Sequence, residues 1–128
     1  MKMLLCIAVG GAGGALLRYG AGGVVQRATG GAFPWGTLSV NLAGCLMLGA
    51  LWAMFEALSV SPNVRALLGV GLLGAFTTFS TFSIESLNLL RDREYLLAGA
   101  NVLGSCAGGL LLVWVGMLAG RAIVQVMR

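Results

Sequence analysis

The chain has 128 residues, 59% of them hydrophobic and 9% charged, with a mean hydropathy of +0.95. A soluble domain carries about 25% charged residues, so this chain cannot cover itself with a polar surface and takes the bilayer as its solvent. The formal charge of +4 comes from scattered Lys and Arg near segment ends, a pattern that suits lipid headgroups and argues against a nucleic-acid partner.

Histidine is absent, and Cys6, Cys45 and Cys106 lie singly inside apolar stretches. They form no CxxC and no disulfide framework, and read as small packing residues. With no cofactor loop and no carboxylate pair at a workable separation, an enzyme is disfavoured. A membrane helix needs about 20 apolar residues. Four such helices with short loops use nearly the whole chain, which predicts an all-α membrane protein with one four-span domain over residues 1–128.

Segment one runs from Met3 to Val25. Lys2 ahead of an apolar run resembles a signal peptide, but the apolar character continues past Arg18 to span length, so a retained span is expected. Gly10 and Gly14 form a GxxxG pair that lets two helix backbones approach closely. Arg18 lies well past the middle of the span, where a charge is costly. It either snorkels to the interface or faces protein and holds an anion or a helix C-terminus.

A loop from Gln26 to Trp35 follows, punctuated by Thr29-Gly30-Gly31, with Pro34 suited to the first turn of the next helix. Trp35 is placed as an interfacial anchor. Segment two runs from Gly36 to Leu58. Asn41 is its one strongly polar interior residue, and a carboxamide in hydrocarbon must find a partner. Either it bonds a neighbouring helix, or its NH2 lines a path and donates to an anion. Glu56 sits near the far end beside Trp52.

After a short loop, Ser59 to Asn63, segment three runs from Val64 to Leu90. Its middle is the most unusual stretch of the chain: Gly74-Ala75-Phe76-Thr77-Thr78-Phe79-Ser80-Thr81-Phe82-Ser83. Gly74 weakens a helix, and five hydroxyls in seven positions compete for its backbone groups. These features predict a helix broken here. A broken membrane helix presents free N–H groups at one end and free C=O groups at the other, which serve anions and cations respectively. Irregular backbone at this depth must be buried in protein or line a wet cavity. Phe76, Phe79 and Phe82 recur every third residue and would share one slowly turning face. Such a stripe packs against helices or lipid, or it offers positive ring edges to an anion.

The charged turn Arg91-Asp92-Arg93-Glu94 leads into segment four, Tyr95 to Leu118. There Ala100, Gly104 and Gly108 form a ridge of small residues, and Asn101 and Ser105 share a face. Four spans put both termini on one side, with Lys2, Arg65, Arg121 and Arg128. Arg27, Arg91 and Arg93 lie on the other, with Arg18 added if it snorkels. Orientation follows an excess of Lys and Arg, and here there is no clear excess. Insertion both ways, and an isologous antiparallel homodimer, are therefore expected.

Three stretches together carry a resemblance that spans the chain: Gly10-Gly11-Ala12-Gly13-Gly14-Ala15-Leu16-Leu17-Arg18-Tyr19, Gly36-Thr37-Leu38-Ser39-Val40-Asn41-Leu42-Ala43-Gly44, and Gly74 to Phe82 with Ser83 and Glu85 after it. In this order and spacing they resemble the Fluc fluoride channels, also called CrcB proteins. The resemblance implies a passive fluoride channel in the plasma (inner) membrane that exports the ion and lowers cytoplasmic fluoride. It implies an antiparallel dual-topology homodimer with two pores. Phe79 and Phe82 would contact fluoride through their ring edges, Asn41 would face the ion path, and Thr81 and Ser105 would belong to a polar track. A structural Na+ at the dimer axis would be held by the backbone carbonyls of Gly74 and Thr77. Arg18 falls in the opening pattern and is carried as an ion-pathway residue. Ala75 stands where members often have Gly, and segment four departs most, with Asn101 and Ser105 as its strong polar residues.

The physics suits that expectation, since a pore for a small, strongly hydrated anion must replace water yet release the ion. Two rivals are a small dual-topology exporter of cationic drugs and a structural membrane subunit. The first wants a carboxylate in its path, and segment one has none. The second leaves Asn41 and the Thr/Ser/Phe stretch without a purpose.

Overall fold

The computed structural model describes residues 1–127; Arg128, one of the charges in the topology argument, lies outside them. Four helical spans are long and apolar enough to cross a membrane: Lys2–Thr29, Trp35–Ala57, Pro62–Arg91 and Tyr95–Val126. The chain is therefore a multi-pass all-α membrane protein. Three spans are single helices: α1 (Lys2–Thr29), α2 (Trp35–Ala57) and, last in the chain, α6 (Tyr95–Val126). The third is compound. It opens with α3 (Pro62–Arg65), widens into a π-helical stretch over Ala66–Leu73, and closes its first half with α4 (Gly74–Phe76). Two extended residues separate that half from α5 (Phe79–Arg91).

The ends have local causes. Gly30 takes a positive φ of 64° and returns its N–H to the Gln26 carbonyl, ending α1. The Gln26 side chain then stitches the loop, donating to the Phe33 carbonyl at 3.1 Å and accepting the Gly36 N–H at 3.0 Å. Pro62 occupies the first turn of α3 behind a Ser61 cap. Helices α1 and α6 run on beyond Val25 and Leu118, where the apolar stretches were expected to stop. Backbone bonding continues past those points, so Arg27 and Arg121 sit on helix.

Lipid is as apolar as a leucine core, so helices in it associate through close contact of small residues. The glycines make those contacts. A Cβ on Gly10 or Gly14 would collide with the Leu67 or Leu72 carbonyl of the π-helical stretch. The GxxxG pair thus receives the third span. Gly22 and Gly36 meet where α1 crosses α2. Between α2 and α6 the tightest approaches are Gly49 on the Val113 carbonyl, Gly116 on that of Leu46, and Gly120 on that of Ala50. The expected ridge takes a lesser part: Gly104 and Gly108 face only the Leu38 and Leu42 side chains. A small core of Val40, Leu73 and Phe76 lies between spans. Leu4, Leu5, Leu16, Leu103 and Leu110 point outward, as a lipid-facing surface requires.

Gly14→Val is expected to abolish the monodisperse species seen by size-exclusion chromatography in detergent, because backbone cannot yield to the new side chain. Gly13→Ala should leave it intact, its nearest neighbour being the Leu72 Cδ1 at 3.6 Å.

Candidate functional site at the helix break

The third span breaks at Thr77 (φ −87°, ψ 158°) and Thr78 (φ −151°, ψ 116°). Gly74, the expected weak point, is still helical at φ −62° and ψ −36°. The break frees backbone groups that must be paired within the bilayer. Asn41 pairs two of them. Its Nδ2 donates to the Thr78 carbonyl at 3.1 Å, and its Oδ1 accepts the Thr78 N–H at 2.8 Å. Of the two readings left open for Asn41, the bond to a neighbouring helix is present, and it is made with backbone.

Thr78 also caps α5. Its Oγ1 accepts the Thr81 N–H at 3.3 Å and lies 3.0 Å from the Thr81 hydroxyl and 3.4 Å from that of Ser80. The other hydroxyls bond back to the preceding turn: Thr77 to the Leu73 carbonyl, Ser83 to Phe79, and Ser86 to Phe82. The carbonyls of Gly74, Ala75, Phe76 and Thr77 lose their usual helical donors in consequence. In an unbroken helix Gly74 would receive the Thr78 N–H, which goes to Asn41. Thr77 would receive the Thr81 N–H, which goes to the Thr78 side chain. Gly74 and Thr77, singled out for Na+, are two of these four. Their oxygen chemistry fits a hard cation, and Gly74 is exposed on the surface of the protomer.

Two openings flank the break. A groove of about 290 Å³ is lined by Asn41, Gly74, Thr77, Phe79, Phe82 and Ser105, with Thr78, Cys45 and Cys106 among the others. A second cavity of about 340 Å³ holds Arg18, Thr37, Thr78 and Thr81. All eight candidate residues therefore lie around the break, six in the groove and two across from it, and Thr78 borders both spaces. Arg18 makes no hydrogen bond or ion pair among the described residues.

The phenylalanines divide, contrary to the shared face expected from their spacing. Phe76 precedes the break and belongs to the core; the extended residues cancel the helical register between it and the others. Phe79 and Phe82 remain together, with ring centroids 5.5 Å apart and planes tilted by 46°. Phe82 is buried (8% exposed) while Phe79 stands out at 78%.

Two further polar contacts join distant segments. Thr37 donates to Glu85 Oε1 at 2.8 Å, across 48 residues, and Glu85 Oε2 is buried without a partner. Glu85 borders a separate cavity of about 450 Å³ with Gln26, Asn88 and Asp92. Asn101 Nδ2 donates to Ser86 Oγ at 2.9 Å. The cap at Thr78 was foreshadowed only as one hydroxyl in a run of five.

The family model of the CrcB-like proteins (camphor resistance, CrcB) matches residues 5–117. The chain belongs to the CrcB family. A relative from Nitratidesulfovibrio vulgaris (strain Miyazaki F), named a fluoride-specific ion channel FluC, is 43% identical over 124 residues, 96% of this chain and all of its own length. Relatives of the same name from Nitrosococcus oceani and Magnetococcus marinus are 44% and 47% identical, covering 95% and 91% of this chain and 98% and 96% of their own.

In this CrcB chain the three stretches that carried the resemblance meet in space. The first packs Gly14 against the backbone at Leu72 and Phe76 and brings Arg18 to the cavity that Thr78 borders. The second sets Asn41 on Thr78 and Gly44 on the Thr77 methyl, where a Cβ would collide. The third is the break itself.

Thr78→Val keeps the shape and removes the cap. It should cost about 1 kcal/mol, read as a lower Tm of the purified protein, whereas Thr78→Ser should hold near the parent value.

Proposed function

We propose that this CrcB protein is a fluoride-selective passive channel of the plasma (inner) membrane, which lowers cytoplasmic fluoride by letting the ion leave. The observation that carries the reading is the convergence of an amide, several hydroxyls and two phenylalanine rings on one groove beside a helix break. The channel names of full-length relatives at 43–47% identity support it.

Fluoride holds its water tightly, so a path must offer substitutes for that shell and still let go. Here the substitutes are neutral. One Asn41 Nδ2 hydrogen is used on the Thr78 carbonyl, and an NH2 group has two. The hydroxyls of Thr81 and Ser105 each have a rotatable proton. Phe79 and Phe82 add ring edges, whose partial positive charge attracts an anion without trapping it. Arg18, unpaired and across the break, raises the local anion concentration without standing among the ring edges.

The working unit in this proposal is an antiparallel homodimer with two pores. Phe79, at 78% exposure beside an open groove, gains cover from a second copy. Gly74 and Thr77 carbonyls from both copies would hold Na+ at the shared axis, where the ion ties the two breaks together. The even split of loop charge supports insertion in both orientations. A cation exporter has one observation in its favour, the half-buried Glu85 carboxylate, but that group borders a different cavity from the two rings.

Liposomes holding the purified protein and clamped with a potassium gradient and valinomycin should lose fluoride rapidly, by fluoride electrode, and retain chloride. Phe82→Ile should abolish the loss in protein that still elutes as a dimer. Replacing Na+ with a large organic cation before purification should weaken the dimer. Fluoride retention by well-folded protein, or saturable uptake of a lipophilic cation in the same vesicles, would overturn the proposal.

A further inference from the structure

Helix α5 carries both rings, yet it is tied to α2 and α6 at few points. Asn41 holds its start, Thr37 bonds Glu85, and Asn101 of α6 reaches Ser86. The last tie is the most deeply buried. Asn101 is 1% exposed, the largest fully buried side chain among the described residues. Its Oδ1 has no partner, nor does the buried hydroxyl of Ser105 one turn along α6. A carboxamide removed from water with its oxygen unpaired is a poor packing choice beside a leucine of similar size.

What the amide does make is directional. Its Nδ2–H donates to Ser86 Oγ at 2.9 Å, and the Ser86 hydroxyl donates in turn to the Phe82 carbonyl at 2.8 Å. The hydroxyl therefore accepts from α6 and donates to the residue that bears the buried ring. A serine bonding back on its own helix bends the turn it spans, and here its one proton is committed to the Phe82 carbonyl while one of its two lone pairs accepts from Asn101. Phe82, unlike Phe79, is buried within the protomer, so its placement is set by such internal contacts.

We propose that Asn101 is a positioning residue for Phe82, acting through Ser86. The amide fixes the serine hydroxyl, and the hydroxyl fixes the Phe82 carbonyl and with it the angle of the ring against Phe79. Its consequence for conduction rests on the channel reading; its structural content does not.

The test is a double-mutant cycle with Asn101→Leu, Ser86→Ala and both together. Flux is read as fluoride efflux per folded protein and as the fluoride-to-chloride ratio. Each single change should lower fluoride efflux about tenfold and reduce the ratio. The double should be no worse than either single, because both remove the same chain of bonds. Additive losses, or a fall in Tm with efflux and ratio intact, would overturn the proposal. Ser86→Ala removes one oxygen and keeps the test open should Asn101→Leu misfold.

A second readout is independent of conduction. With 4-fluorophenylalanine incorporated, the 19F resonance of ring 82 should move in both single variants and take the same position in the double, while that of ring 33 stays put. If the parent protein passes no fluoride, the channel reading falls. The 19F lines still decide the positioning role, and an unmoved ring-82 line refutes it.

Discussion

A helix that stops inside a bilayer leaves N–H and C=O groups with no water to bond, and each such group costs several kcal/mol. The unusual features of the site follow from how that cost is met at Thr77 and Thr78. One carboxamide, Asn41, takes both backbone groups of Thr78, and the Thr78 hydroxyl takes the next free N–H along. Helical bonds are thereby redirected, and the carbonyls of Gly74 to Thr77 lose their helical donors. Neutral donors, ring edges and carbonyls then gather around the break.

Two kinds of cohesion divide the fold. Helices α1, α2 and α6 and the first half of the third span are held by glycine contacts in which backbone touches backbone. Close packing of this kind is rigid and needs no polar groups. Helix α5 depends more on directional bonds, from Asn41, Thr37 and Asn101. The element bearing Phe79 and Phe82 is thus placed by groups whose geometry is narrow in angle, while the scaffold behind it is placed by shape. That division suits a site whose ring orientations matter more than its burial.

The number of spans was legible because hydropathy and length suffice for it, and the breaking stretch was legible because hydroxyls cluster there against the apolar background. Its position was less so. Gly74 was the expected weak point, yet a single glycine costs a helix only about 1 kcal/mol. What stops the helix is Asn41, 37 residues earlier in sequence, and no local pattern reports such a partner. The phenylalanine spacing misled for the same reason, since three-residue periodicity holds only while the helix does. The π-helical stretch left no expectation at all: wide turns over Ala66–Leu73 arise where the chain meets Gly10 and Gly14. Of the site, all eight expected residues surround the break, but their division between two spaces, with Thr78 bordering both, emerges only when α2 is laid against α5.

Asn41 is the group on which the break depends. The most direct measurement is fluoride efflux from liposomes bearing Asn41→Leu, which keeps the size but removes both bonds to Thr78. We expect fluoride efflux to fall about a hundredfold, the scale on which loss of a positioning contact is felt, in protein that still folds. Efflux equal to that of the parent protein would contradict the account, since the break would then not depend on the amide.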